Sequence, residues 1–329
     1  MADTVFLPQE WQAYVSSYVG SDGRVIDTGN NNISHSEGQG YGLILAALAD
    51  DRATFERIWS FTKTDLLVRD DGLAAWRWEP DKRPHVTDSN NATDGDMLIA
   101  YGLLLAAQAW NNGHYSDLAI PMIRTIGRTM LVDVDGMPAI LPGGQGFIRE
   151  DGGETVLNPS YWIFETFPIF NEIDPVIDWM AVQETGLEIL RRAQQEPVGI
   201  PADWVQLNVD GGQGPAQDFP PEFGYNGIRV PLYLIRADLD PSFLDPFRRN
   251  ASPEGLAKID VNTGEQLEPI SEPGYRLIAA TMECVAEGAR IPQDLQTMSA
   301  TSYFSATLQL LLLDHLRRHE TDCLGPATP

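Results

Sequence analysis

The chain has 329 residues, 43% hydrophobic and 21% charged, with 47 acidic against 22 basic side chains and a net charge of −25. A field of that sign repels phosphate backbones and anionic membrane surfaces, which argues against nucleic acid as a partner and leaves a neutral or cationic ligand compatible. No run of eighteen apolar residues exists, so membrane insertion is not expected.

Helical patterns follow one another from the start, read from apolar spacing and from Pro, Gly and Asn at the breaks. They fall near 6–19, 39–49, 51–66, 95–112, 117–132, 160–171, 174–195, 225–238, 241–248, 274–288, 292–297 and 301–319. Strand signals are sparse, and "MPAILPG" (137–143) is the best of them. The segments "MLIAYGLLLAAQAW" (97–110) and "YFSATLQLLLL" (303–313) are apolar almost all round, as helices buried on every side are. By contrast, "PVIDWMAVQETGLEILRRAQQ" (175–195) has an apolar stripe and a charged face, as an outer helix does. The alternation suggests an all-α double ring whose loops form a cleft at one end; periodicity alone leaves an irregular helical bundle open. No linker, low-complexity run or fixed-period repeat divides the chain, so residues 1–329 are expected to form a single domain. Cys284 and Cys323 are too few for a disulfide framework, and their spacing does not reveal whether they pair. The opening "MADTVFLPQEWQAYV" is not a secretory signal, which leaves a cytosolic protein or one whose signal has been removed.

Several catalytic signatures are missing: G-x-S-x-G, a P-loop, H-E-x-x-H and a complete G-x-G-x-x-G. His315 and His319, four apart, could share a metal, but no third ligand is nearby and a solvated helix face explains them better. Two carboxylate sites stand out. In "ISHSEGQGYGLILAAL" (33–48), Glu37 sits in a glycine-rich stretch read as a loop at the mouth of an apolar helix. Taken alone it would be a carboxylate favoured by the helix dipole. In "NNATDGDMLIA" (90–100), Asp94 and Asp96 open the most apolar helix of the chain. Thr93 or Asp94 would serve as its N-cap, which does not account for the second carboxylate. Aromatic and polar residues surround these sites in "LAAWRWEP" (73–80), "LNPSYW" (157–162), "PADWVQL" (201–207) and "FGYNGIRVPLYL" (223–234). Tryptophan and tyrosine in loops offer flat faces to pyranose rings and polar edges to hydroxyls, although each alone is more often core.

Together these stretches resemble glycoside hydrolase family 8 over most of the chain. "SEGQGYGL" (36–43) is similar to the family's catalytic-acid segment, and "ATDGDMLIAYGLLLAAQAW" (92–110) to its signature; "NPSYW", "PADWV" and "GYNGIRVPLY" follow in family order. The resemblance implies an (α/α)6 barrel and inverting hydrolysis of β-1,4-linked glycans without cofactor or metal. The likeness is greatest to endoglucanases encoded beside bacterial cellulose synthases, which implies a periplasmic or secreted monomer acting on cello-oligosaccharide or cellulose, with the synthase machinery as a further partner. An inverting enzyme needs one protonated carboxyl on the leaving oxygen and one base holding water on the opposite face. By resemblance Glu37 is the acid, kept protonated by a dry cleft and a neighbouring anion such as Asp94. Asp94 binds sugar hydroxyls, and the glycines are expected to let a wide polymer approach closely. Trp76, Tyr161, Trp204 and Tyr225 are expected to line the cleft, Trp78 and Trp162 less clearly so, and Arg229 to brace position 226.

The departure is at the base. The cellulase branch carries aspartate where this chain has Asn226, followed by Arg229. A carboxamide holds water but takes no proton at ordinary pH. Three readings stay open: an engineered replacement that traps substrate; a base supplied elsewhere, as in a branch that includes chitosanases, with Asp210, Asp218 and Glu222 as candidates; or a glycan-binding module of low activity. Chitosan, mixed-linkage glucan and xylan are the alternative substrates. In the first reading Glu37 and Asn226 face each other across the cleft at the inverting separation of about 6.5–9.5 Å.

Overall fold

The structure is a computed structural model that describes residues 4–149, 154–208 and 212–325. Its helices are α1 (Pro8–Tyr18), α2 (Ser36–Leu48), α3 (Arg52–Phe61), α4 (Thr93–Ala109), α5 (Gly113–Thr129), α6 (Phe167–Ile173), α7 (Trp179–Ala193), α8 (Arg229–Arg236), α9 (Asp245–Arg249), α10 (Pro273–Glu287) and α11 (Tyr303–Arg318). The apolar patterns at 97–110 and 303–313 fall in α4 and α11, whose residues are buried on nearly all sides. α2 packs on α3, α4 and α11, and α11 packs in turn on α8 and α10. The amphipathic pattern at 175–195 is α7, which buries one stripe and is capped by Asp178 on the Ala181 N–H. One hydrophobic cluster extends from Phe6 to Cys323. The inner helices thus lie within a second layer, the double ring of an (α/α)6 barrel.

Among the described residues four small antiparallel sheets decorate this frame, more strand than the sequence shows. They pair β1 (Ser34–His35) with β2 (Arg77–Trp78), β3 (Leu131–Val134) with β4 (Met137–Ile140), β5 (Glu154–Leu157) with β6 (Val205–Asn208) and β7 (Gln213–Pro215), and β8 (Glu222–Phe223) with β9 (Leu256–Asp260) and β10 (Gln266–Ile270). Strands of two to five residues carry too few side chains to establish an alternation, so only β4 was legible. Cys284 and Cys323 form a disulfide that closes 39 residues between α10 and the C-terminal turn. Loop-closure entropy of that span stabilises the fold by roughly 4 kcal/mol in the chain-entropy picture.

Several helix boundaries differ from expectation, each for a local reason. α2 begins at Ser36 rather than 39, because His35 caps it: its Nδ1 accepts the Gly38 N–H at 3.0 Å. Glu37 therefore sits in the first helical turn and not in a loop. The glycines have a packing role instead of opening the surface to a polymer. A Cβ on Gly40 would lie 2.5 Å from Leu98 Cβ and 2.9 Å from the Ile99 nitrogen, and one on Gly95 would lie 2.7 Å from the Glu37 nitrogen. α2 and α4 touch backbone to backbone at these points, which fixes Glu37 beside Asp94. Gly40→Ala should destabilise the fold by about 1–3 kcal/mol through overpacking; an unchanged denaturant midpoint would refute the close contact.

α4 starts at Thr93, but neither Thr93 nor Asp94 is its N-cap. That position is Ala92, and the Thr93 hydroxyl donates to the Leu141 carbonyl at 2.6 Å. The stretch at 160–171 breaks into two short 3-10 turns before α6. α8 starts only at Arg229, because the buried Asp203 carboxylate accepts the backbone N–H groups of Gly224, Asn226 and Gly227 at 2.7, 3.2 and 2.8 Å. Those bonds hold a turn, not a helix, at 224–227.

Candidate active site

A cleft of about 640 Å3 opens at the end of the barrel where α2, α4, α8 and α11 begin. Glu37, Trp76, Asp94, Tyr161, Tyr225, Asn226 and Arg229 all line it. Three segments far apart in sequence converge there on one side chain. Arg229, only 2% exposed, donates from Nη1 to Asp94 Oδ2 at 2.9 Å and from Nη2 to Asn226 Oδ1 at 2.6 Å. The same Nη1 lies 2.9 Å from Glu37 Oε1. That last contact is a charge contact without hydrogen-bond geometry, so Glu37 Oε1 keeps its hydrogen-bonding capacity unused. A buried guanidinium between two carboxylates offsets the cost of placing those anions in a dry site.

The electrostatics follow from burial. Asp94 is pushed up to about 6 by burial and then by the Glu37 charge, against the pull of Arg229. Arg229 is driven well above its ordinary value: burial opposes its charge, but Glu37, Tyr41, Asp94 and Tyr233 outweigh it. Burial likewise raises Asp203, although its backbone and Asn226 hydrogen bonds work the other way. Asp203 Oδ2 also accepts the Asn226 Nδ2 at 3.4 Å, so the amide of Asn226 is held between Arg229 and Asp203. Asp96, the second carboxylate of the α4 signature, is absent from the cleft lining. It accepts the Ala74 N–H at 2.7 Å and the Asn91 amide at 2.9 Å, and burial raises it to about 7. It anchors the segment that carries Trp76.

Trp76 is tied in at three points: its backbone carbonyl accepts the Ser36 N–H at 3.0 Å, its N–H donates to the Asn90 carbonyl at 2.9 Å, and Nε1 donates to Asp88 at 2.8 Å. Its ring is half-buried at the cleft wall, and Tyr225, 41% exposed, stands edge-on to Tyr275. Tyr161 is buried under Arg229. Trp204 does not line this cleft; it is stacked between Phe147 and Phe219, with Tyr161 6.4 Å away. Trp162 is fully buried and donates to the Val182 carbonyl, and Trp78 is covered by His85 and Arg24. Trp76→Ala should weaken oligosaccharide binding by about 0.5–1.5 kcal/mol with the melting temperature unchanged, since it removes one ring face; calorimetric titration checks this, and unchanged affinity with a lowered melting temperature would make the residue structural.

Of the acids considered as substitute bases, Asp218 pairs with Arg149 at 2.6 Å and Glu222 with Lys258 at 2.9 Å, both outside the cleft lining, and Asp210 lies outside the described residues. The cleft carries two carboxylates that the sequence reading missed, Asp27 and Glu272, together with His35 and Tyr303. Glu272 accepts the hydroxyls of Thr301 and Ser302 at 2.6 and 2.7 Å. "DTGNN" (27–31) reads as a turn, and nothing in its composition says that it folds over the start of α2. His315 and His319 lie at the opposite ends of these helices, their rings 5.1 Å apart. Among the described residues the donor group that approaches within 4.8 Å is Asp238, His315 and Glu320, and it does not include His319.

The family model described as "Glycosyl hydrolases family 8" matches residues 2–317. An "Endoglucanase" of Cellulomonas uda is 36% identical over 72% of this chain, a match that spans 66% of that relative, just under two thirds. A "Probable endoglucanase" of Novacetimonas hansenii is 34% identical over 92% of this chain and 89% of its own length. The solved structure of an endo-beta-1,4-glucanase from Acetobacter xylinum superposes with a TM-score of 0.85 at 33% identity, covering 95% of this chain and 98% of that one.

Proposed function

Since this chain belongs to glycosyl hydrolase family 8 and is a glycoside hydrolase of the cellulase type, we propose that it is an inverting endo-β-1,4-glucanase with Glu37 as general acid and Asn226 at the position of the general base. The observation that carries this reading is the convergence of Glu37, Asp94 and Asn226 on Arg229 within one open cleft. Glu37 lines the cleft with 19% of its side chain exposed, and its carboxyl can protonate the leaving glycosidic oxygen. Asp94, fixed by Arg229 and the Gly95 N–H, accepts hydroxyls of the sugar at the cleavage point. Asn226 holds the attacking water through its amide but cannot remove the proton, so hydrolysis by this chain is slow.

An open cleft with Trp76 and Tyr225 at its wall suits an internal segment of a polymer, which supports endo cleavage. The disulfide supports a periplasmic or secreted location, because such bonds persist in oxidising compartments. The role in bacterial cellulose synthesis rests on the resemblance of the motifs. A second reading places the base elsewhere, and its observation is that Asp27 and Glu272 line the same cleft. Reducing-end release from carboxymethyl cellulose, mixed-linkage glucan, xylan and chitosan tests the substrate: products from β-1,4-glucan support the reading, and products from chitosan alone overturn it.

A further inference from the structure

His35 is a residue of the cleft that the hydrolytic scheme leaves without a task. Its imidazole uses both nitrogens. Nδ1 accepts the Gly38 N–H at 3.0 Å and so closes the amino end of α2, while Nε2 faces Asp27 Oδ2 at 3.4 Å. Asp27 is itself held by the Gly29 N–H at 3.1 Å. A carboxylate only accepts, so Asp27 keeps the imidazole proton on Nε2 and leaves Nδ1 as the acceptor that a helix cap requires. The ring is wedged edge-on against Tyr303 of α11, 5.9 Å between centroids. The fit beneath it is close: a Cβ at Gly38 would meet the Tyr303 hydroxyl at 3.0 Å and His35 Cε1 at 3.3 Å. Glu37 lies between His35 and Gly38, and its backbone nitrogen packs against Gly95 of α4.

We propose that His35, oriented by Asp27, is a positioning residue for Glu37: it fixes the first turn of α2 and thereby the place of the acid over the scissile bond. This rests on the reading of Glu37 as the acid. The arrangement also makes the cap sensitive to acid, because a protonated imidazole donates from Nδ1 and can no longer accept the Gly38 N–H. Burial opposes that proton, but Asp27 on the preceding loop, Glu37 on α2 and Asp94 on α4 outweigh it and hold His35 above its ordinary value. Tyr303 of α11 stays neutral, its phenol driven far up by burial. Arg229 of α8 stands on the other side of Glu37 and Asp94 and pairs with both. As pH falls through the His35 titration the cap opens and the rate declines.

The test compares His35→Ala, His35→Asn, Asp27→Asn and Glu37→Gln, made in the Asn226→Asp background. Asparagine is a good N-cap acceptor and does not titrate. His35→Ala should lower kcat about ten- to a hundredfold by misplacing the acid, with KM little changed. His35→Asn should restore most of that loss and abolish the acid limb that His35 contributes. Asp27→Asn should resemble His35→Ala, since an amide can donate to Nε2 and force the proton onto Nδ1. Amide exchange over residues 36–39, followed by mass spectrometry, reads the cap without activity: protection should fall in His35→Ala and persist in His35→Asn. If Glu37→Gln abolishes hydrolysis while His35→Ala leaves kcat and exchange unchanged, the positioning role is wrong and the acid assignment stands. If Glu37→Gln leaves hydrolysis intact, the acid assignment itself has failed, and the exchange measurement then reports only whether His35 caps the helix.

Discussion

Replacing Asn226 by aspartate is expected to raise hydrolysis of carboxymethyl cellulose by about 10²–10⁴, the usual contribution of a positioned base. The two side chains are nearly the same shape, and the turn that carries residue 226 is held by Asp203 through backbone N–H groups that the change does not touch. Arg229, already bonded to the Asn226 oxygen at 2.6 Å, gains an anion to pair with. The new carboxylate replaces an amide that donates to Asp203 at 3.4 Å, so two acids face each other there. Such a pair shares a proton, and burial already raises Asp203. The base must be ionised to work, and the first proton goes to the buried Asp203 while Arg229 favours the anion at 226, so activity of the variant should fall as pH drops through the lower apparent pKa of the pair. Initial rates of reducing-end release across pH check both statements. A parent that is already fast, with little gained by the change, would mean that Asp27 or Glu272 supplies the base.

Glu37→Gln should abolish hydrolysis, a loss of about 10²–10⁴ or more in kcat for removing a general acid, while cello-oligosaccharide binding stays close to the parent. A glutamine keeps the size of the side chain and its polar contact with Arg229, but it has no acidic proton to give. Binding should survive because Trp76, Asp94 and Tyr225 are untouched and the first turn of α2 is closed by His35, not by residue 37. The comparison is made in the Asn226→Asp background, where the rate to be lost is largest. Hydrolysis at the parent rate would remove Glu37 from the acid role, and lost binding would make it a sugar ligand.

What could be read from the sequence divides along physical lines. The inner helices were legible because α4 and α11 are apolar on all sides, and α7 because its stripe repeats at helical spacing. Glu37, Asp94, Asn226 and Arg229 were found through the motifs around them, and the structure brings all four together. Glycine misled: a run of Gly38, Gly40 and Gly42 reads as a loop, yet helix crowding against Leu98, Ile99, Val25 and Ile58 requires residues without a Cβ. The turn at 224–227 was read as helix because its cause, Asp203, lies more than twenty residues away. Glu272 was missed for the same reason, since its partners Thr301 and Ser302 lie 29 and 30 residues away. Asp27 and His35, by contrast, are close to Glu37 in sequence and were missed because no local pattern marks their side chains as facing the cleft. Trp204 and Tyr161 show the limit of aromatic composition: nothing local tells a ring that stacks on other rings from one that faces a ligand.

The central claim, inverting hydrolysis with Glu37 as acid across from position 226, is tested most directly by the anomeric form of the first product. Proton NMR of cellopentaose cleaved by the Asn226→Asp variant, recorded before mutarotation, should show the new reducing end as the α-anomer, followed by slow equilibration. A β-anomer appearing first would mean retention through a covalent intermediate, and would contradict the roles given to Glu37 and residue 226.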